Sequence, residues 1–278
     1  MLFKYYKLCA VGGIHINLIG YKLSGDLMSK SAEGEGSGVN RIKTGIEGLD
    51  RILYGGIPEK TQNLIMGPVG SGKSLIAFNI LYNNARNGMP CTFVTVDQTK
   101  EDMIRNIKSA FPGLTDIDEL ISSRRLHVAE ARADDKFYTR ENAMLFIAGI
   151  IKAAKENNSS MLVLDSISIM RALFDDDRAF TRMVNSIAEN LRIIGLTSII
   201  TVEVPEKDDS DKVPGLYEQS MFDWIFRVNN VVNNDTTKHF GKVVKLRYSS
   251  YSSAESQVQI TEKGITVSEI STGKNRKD

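Results

Sequence analysis

Eight consecutive residues carry the clearest chemistry in this chain: Gly67, Pro68, Val69, Gly70, Ser71, Gly72, Lys73 and Ser74. They fill the pattern G-x-x-x-x-G-K-[ST]. The glycines let the backbone curl until its N–H groups point inward, where they ring phosphate oxygens. Lys73 adds a positive charge on a long stem, suited to the outer phosphates of a nucleoside triphosphate. Ser74 offers a hydroxyl to a divalent cation. The expected ligands are therefore ATP and Mg²⁺.

A strand must deliver such a loop and a helix must leave it. Residues 63–66 form a short, mainly apolar run before the loop. Residues 74–87 carry Leu75, Ile76, Phe78, Ile80 and Leu81 at helical spacing and stop at Gly88. The positive end of that helix faces the same anion. A glycine-rich turn without a ligand would not need this frame. The cation also needs a carboxylate from another strand. Residues 161–165 supply it, because Asp165 closes a fully apolar run. A carboxylate there is costly unless it meets a cation, so Ser74 and Asp165 form the expected metal pair. The alternative is an ordinary strand-end aspartate that caps the next loop.

The rest of the chain alternates strands and helices. Residues 92–96, 125–129, 161–164 and 197–202 read as strands. Residues 100–111, 141–157 and 178–194 read as helices, with Met144, Leu145, Ile147, Ala148 and Ile151 on one face of the second. This order implies crossover units and a mainly parallel sheet with helices on both faces. The runs 161–164 and 198–202 lack polar alternation, as expected of central strands. After Asp223 the pattern changes to short strands at 225–228, 243–248, 257–261 and 265–267. These read as an antiparallel C-terminal extension. The fold class is α/β, with no internal repeat.

The stretch RIKTGIEGLDRILYGGIPEKTQNLIMGPVGSGKS (residues 41–74) resembles the opening of a KaiC-type domain. That family belongs to the RecA superfamily and occurs in archaea and cyanobacteria; a single-domain chain resembles the archaeal type. Thr44-Gly45, Gly48-Leu49-Asp50 and Gly55-Gly56-Ile57-Pro58 carry the likeness, which runs over residues 41–267. It implies a RecA-like P-loop fold that binds ATP at subunit boundaries, in a homo-oligomer that is often a hexamer. In that family a K-x-R pair on a late strand reaches the γ-phosphate of a neighbouring subunit. Lys245 and Arg247 match it, and residues two apart on a strand share a face. Family domains usually end the strand after the phosphate-loop helix with Glu-Glu, which orients or deprotonates the attacking water. Here Asp97 and Gln98 stand there. Aspartate is one methylene shorter, and glutamine takes no proton at neutral pH, so slow hydrolysis is expected. The glutamine also resembles FlaH, an archaeal motility accessory protein that acts mainly by binding ATP. The residues with expected catalytic roles are Lys73, Asp97, Gln98, Lys245 and Arg247. Thr201 and Glu203 occupy a sensor-like place beyond the next strand.

Lys and Arg total 35 and Asp and Glu 34, so the net charge of +1 gives no sign of a nucleic-acid or membrane partner. The two loops that would face DNA in a RecA relative, 171–178 and 205–212, are each net acidic, which argues against nucleic acid as the main partner. No stretch is long and apolar enough for a membrane helix. The two cysteines, Cys9 and Cys91, make no disulfide framework and have no zinc spacing, which fits a cytoplasmic protein. Residues 1–40 read as a loose extension, with Met28 as an alternative first residue; 41–270 form the ATP-binding domain; 271–278 form a basic tail. Two main functions remain open at this level, with a DNA-repair RecA paralogue as a lesser third that the acidic loops disfavour. One is a slow ATPase acting as an oligomeric switch. The other is a non-hydrolysing, ATP-gated assembly module that engages a protein partner.

Overall fold

Each central strand sends alternate side chains into two different cores, and that alternation organises the domain. Phe93, Val163 and Ile199 join one cluster, while their chain neighbours Val94, Leu164 and Ile200 join the other. The computed structural model describes residues 40–131, 140–174, 176–205, 219–233 and 236–270, all within one compact unit.

The strands are β1 (Arg41–Ile42), β2 (Ile57–Pro58), β3 (Gln62–Gly67), β4 (Cys91–Thr95), β5 (Leu126–Glu130), β6 (Met161–Asp165), β7 (Thr197–Glu203), β8 (Trp224–Asn233), β9 (Thr236–Leu246), β10 (Ser256–Thr261) and β11 (Gly264–Glu269). The helices are α1 (Glu47–Ile52), α2 (Lys73–Arg86), α3 (Lys100–Ala110), α4 (Ile117–Ser122), α5 (Arg140–Glu156) and α6 (Asp177–Ile193). Nine strands form one sheet in the order β11-β10-β9-β8-β3-β7-β6-β4-β5, and β1 pairs with β2 separately. From β8 to β5 every pairing is parallel; β8-β9, β9-β10 and β10-β11 are antiparallel. This is the RecA-like α/β arrangement expected from the sequence. β8 belongs to both regimes, parallel to β3 and antiparallel to β9, so the extension proper begins at β9.

α2, α3 and α4 pack on one face through residues such as Phe78, Ile107 and Leu120. α5 and α6 cover the other through Ile147, Ile150, Val184 and Ile187. Leu145 does not join this face as its spacing predicted; it is 61% exposed, and Phe146 takes the buried place. α4 and a 3-10 turn at Ile167–Leu173 were not foreseen, because both are too short to show a period.

The Thr44…Asp50 signature is architectural. The Thr44 N–H and hydroxyl both donate to Asp50 Oδ1 at 2.7 Å, and the Gly45 N–H donates to Oδ2 at 3.1 Å. Asn83 and Asn84 on α2 then donate to the carbonyls of Thr44 and Lys43. The signature thus anchors the helix that follows the phosphate loop.

Candidate nucleotide site

β3 is buried along its whole length and ends on Gly67. A Cβ on Gly67 would lie 2.1 Å from the Val228 carbonyl oxygen, so packing as well as curl demands glycine. Gly72, the residue before α2, holds a φ of 89°, which glycine adopts without strain. The Lys73 side chain curls back, and Nζ donates to the Pro68 carbonyl at 2.7 Å. Burial pulls the Lys73 pKa down, opposed by the negative charges of Glu203 and Asp165. The cation is therefore parked on a backbone oxygen of its own loop, within reach of an entering anion.

The metal pair of the sequence reading meets. Ser74 Oγ donates to Asp165 Oδ1 at 2.9 Å, and Thr201 Oγ1 donates to the same oxygen. Asp165 is only 2% exposed. Burial pushes its carboxyl pKa up; the Thr201 and Ser74 hydroxyls oppose the rise, Asp97 adds to it and Lys73 opposes it. A hard-oxygen pair of one hydroxyl and one buried carboxylate, beside an anion-ringing loop, fits Mg²⁺. Among the described residues no group of three or more His, Cys, Asp or Glu stands together as a metal cage.

Asp97 and Gln98 follow β4 but do different things. Asp97 is exposed and lines an open cleft of about 640 Å³ with Ser166, Ser168 and Glu203. Glu203 stands opposite Gly67 in the β3–β7 register, and its N–H donates to Ser168 Oγ at 2.6 Å. Glu203 is thus level with the first residue of the loop, and Asp97 is close enough to Asp165 to add to the rise of its pKa. Gln98 is tied to α3 instead: its Oε1 accepts from Asn106 Nδ2 at 3.0 Å.

Lys245 and Arg247 lie far from the loop of their own chain. Leu246 pairs with Trp224, and Trp224 pairs with Asn63, near the start of β3. Gly67 is four residues further along β3, roughly 13 Å at the usual strand rise. The two cations therefore sit at the opposite end of the parallel strands from the loop. β9 ends at Leu246, so Arg247 stands just past the strand. Both side chains turn to one turn of chain: Lys245 Nζ donates to the carbonyls of Gln219 and Ser220, and Arg247 to the Ser220 carbonyl and the Asp223 carboxylate.

Sequence reasoning missed three residues here. Asn230 Nδ2 donates to the Val69 carbonyl at 3.5 Å, and its cross-strand partner His239 hydrogen-bonds the Ser71 backbone. Asp223 is the third. Long-range strand pairing places all of them, and no local pattern announces it. Of the two candidate DNA loops, Arg171 pairs with Asp177 at the first, and residues 206–212 of the second lie outside the described residues. So do 1–39 and 271–278. No described helix is long and apolar enough to cross a membrane.

A parallel sheet with a phosphate loop after one strand, and a buried aspartate ending a strand two places along, defines a P-loop nucleotide-binding domain of the RecA-like class. The KaiC ATPase family matches residues 42–272, and the chain belongs to that family. A circadian clock oscillator protein KaiC from Rippkaea orientalis is 27% identical over 243 residues, covering 86% of this chain and 46% of the relative. The protein of the same name from Synechococcus elongatus is 25% identical over 248 residues, covering 88% and 47%. The chain spans about half the length of these relatives.

Proposed function

We propose that this chain is a slow Mg²⁺-dependent ATPase that works as an oligomeric switch, its nucleotide state read by a protein partner. One observation carries the oligomeric part. Lys245 and Arg247 stand at the end of the strands opposite their own phosphate loop, so they serve a nucleotide only if it belongs to another copy of the chain. Mg²⁺, when bound, neutralises phosphate charge and orients the triphosphate. The chain's own residues divide the remaining work. The loop N–H groups and Lys73 hold the phosphates. Ser74 and Asp165 hold the cation. Asp97, exposed and near Asp165, orients a water and receives its proton. Lys245 and Arg247 steady the developing charge from the neighbouring subunit.

Slowness follows from a single short carboxylate standing where the family carries two longer ones. The bond between Gln98 and Asn106 favours a second reading, an ATP-gated assembly module without turnover, because that side chain is withheld from the cleft. Phosphate release from ATP and Mg²⁺ by the full chain separates the two, with Lys73→Ala as control. Turnover that the control lacks supports the ATPase. Tight binding with no release supports the assembly module. Release that survives Lys73→Ala would overturn the site.

A further inference from the structure

One buried carboxylate has no part in the roles above. Asp223 is 3% exposed. Its Oδ2 accepts from the Gln62 N–H at 3.0 Å and from Arg192 Nη2 at 3.0 Å; its Oδ1 accepts from Arg247 Nη1 at 3.4 Å. The main chain doubles these ties. The Asp223 N–H donates to the Gln62 carbonyl, and the Arg247 N–H donates to the Asp223 carbonyl, both at 2.7 Å. One residue thus joins the first residue of the phosphate-loop strand β3, the last turn of α6 and the arginine past β9.

The charges around it do not balance. Among the described residues, Arg192, Arg247 and Lys245 surround a single carboxylate, and burial and the Arg247 charge both lower the Lys245 pKa. The surplus is positive and open to solvent, since the Arg247 side chain keeps 40% of its exposure. A guanidinium held by the Asp223 carboxylate at Nη1 and by the Ser220 carbonyl at Nη2, with its side chain still partly exposed, is a preset donor. Its planar fork loses less freedom on meeting phosphate oxygens than a loose side chain would.

We infer that Asp223 is the positioning residue for Arg247: its carboxylate, itself oriented by Arg192 and the Gln62 N–H, aims the guanidinium outward at a phosphate held by another copy of the chain. This rests on the trans reading proposed above. A latch that withholds Arg247 would use the same contacts with the opposite effect, so the sign of the result decides.

The test mixes full-length subunits. Lys73→Ala subunits lack a working loop but carry an intact Arg247. Arg247→Ala subunits are the reverse, so a mixture of the two restores ATP turnover where either alone is poor. Where the chain holds ATP without cleaving it, ATP-dependent association replaces turnover as the readout. Asp223→Asn alone is expected to lower that readout about tenfold. Its own ATP affinity stays within about twofold, mixing with Lys73→Ala restores function, and adding Arg247→Ala costs nothing further. If Arg247→Ala is not rescued in trans, the underlying reading fails. If it is rescued but Asp223→Asn is not, or if Asp223→Asn raises the readout, the positioning role is wrong. Should Asp223→Asn not fold, Arg192→Gln loosens the same carboxylate without touching the β3 bond, and the same mixing test and outcomes apply to it.

Discussion

Ser74 and Asp165 lie 91 residues apart and meet hydroxyl to carboxylate at 2.9 Å. One lies in the first turn of α2 and the other closes β6, so the contact joins the phosphate loop to a strand two places across the sheet. Asp165 is costly in the ligand-free chain. Its folded pKa lies above the ordinary 3.8 because of burial. A carboxyl raised in this way stabilises the fold below its unfolded pKa, and that contribution is lost as pH rises through the folded value.

The expected result at neutral pH is therefore an asymmetry. Asp165→Asn keeps an oxygen for the Ser74 and Thr201 hydroxyls and removes the buried charge. Its ligand-free melting temperature should equal or exceed that of the wild type. Its gain in melting temperature from Mg²⁺ with ATP should vanish. In the wild type that gain should grow from acid to neutral pH, because the cation binds the ionised form. Scanning calorimetry with and without the ligand checks both; an unchanged Mg²⁺ gain in the variant would remove Asp165 from the metal site.

Lys73→Ala should weaken ATP binding by about a hundredfold, the range of one or two lost charge-assisted hydrogen bonds at about 1.5–3 kcal/mol each. Gly67→Ala should match it for a different reason. A Cβ there meets the Val228 carbonyl oxygen at 2.1 Å, so the loop must shift. The variants separate by heat: Lys73→Ala should melt near the wild type, whereas Gly67→Ala should melt several degrees lower. Titration calorimetry and melting curves read the two effects.

Asp97 and Gln98 stand side by side in sequence and apart in environment. Asp97→Asn should cut turnover by about ten- to a hundredfold, within the usual range for a positioned acid–base group, and leave ATP affinity intact. Gln98→Glu restores a second carboxylate on paper. Its side chain is bonded to Asn106, so turnover should stay within about twofold of wild type. Adding Asn106→Ala frees the position, and a rise only in that double variant would show that the α3 contact withholds the residue. Single-turnover phosphate release at saturating ATP makes the comparison.

Much of the site was legible because its parts are local. The loop, its strand and its helix are contiguous, and Asp165 advertises itself by ending an apolar strand. The strand–helix alternation fixed the parallel sheet for the same reason. Other features depend on contacts between distant segments. Gln98 and Asp97 look alike as neighbours, and only the position of Asn106 on α3 separates them. Arg247 reads as part of a strand until β9 is found to stop at Leu246. Asp223 and Asn230 look like ordinary polar residues around a strand. They gain roles because β8 lies beside β3, a pairing that spans 161 residues at Gln62 and Asp223.

Cys91 offers a probe of how firmly the site is held. It opens β4, the strand that leads to Asp97, and is fully buried. Burial pushes its thiol pKa up to about 12 from 9.0. Its contribution to stability is present below pH 9.0 and is lost as pH rises toward 12. Near neutral pH it is both inaccessible and protonated, so it reacts only through opening of the sheet. In a Cys9→Ser background, thiol labelling of the native protein at pH 8 should be slow and first order. A hundredfold excess of Mg²⁺ with ATP over its dissociation constant should slow it about a hundredfold, because ligand adds about 2.7 kcal/mol to the closed state when opening disrupts the site. Lys73→Ala should show no such protection. Fast labelling unaffected by ATP in the wild type would mean that β4 opens separately from the phosphate loop, and that Asp97 moves independently of the nucleotide.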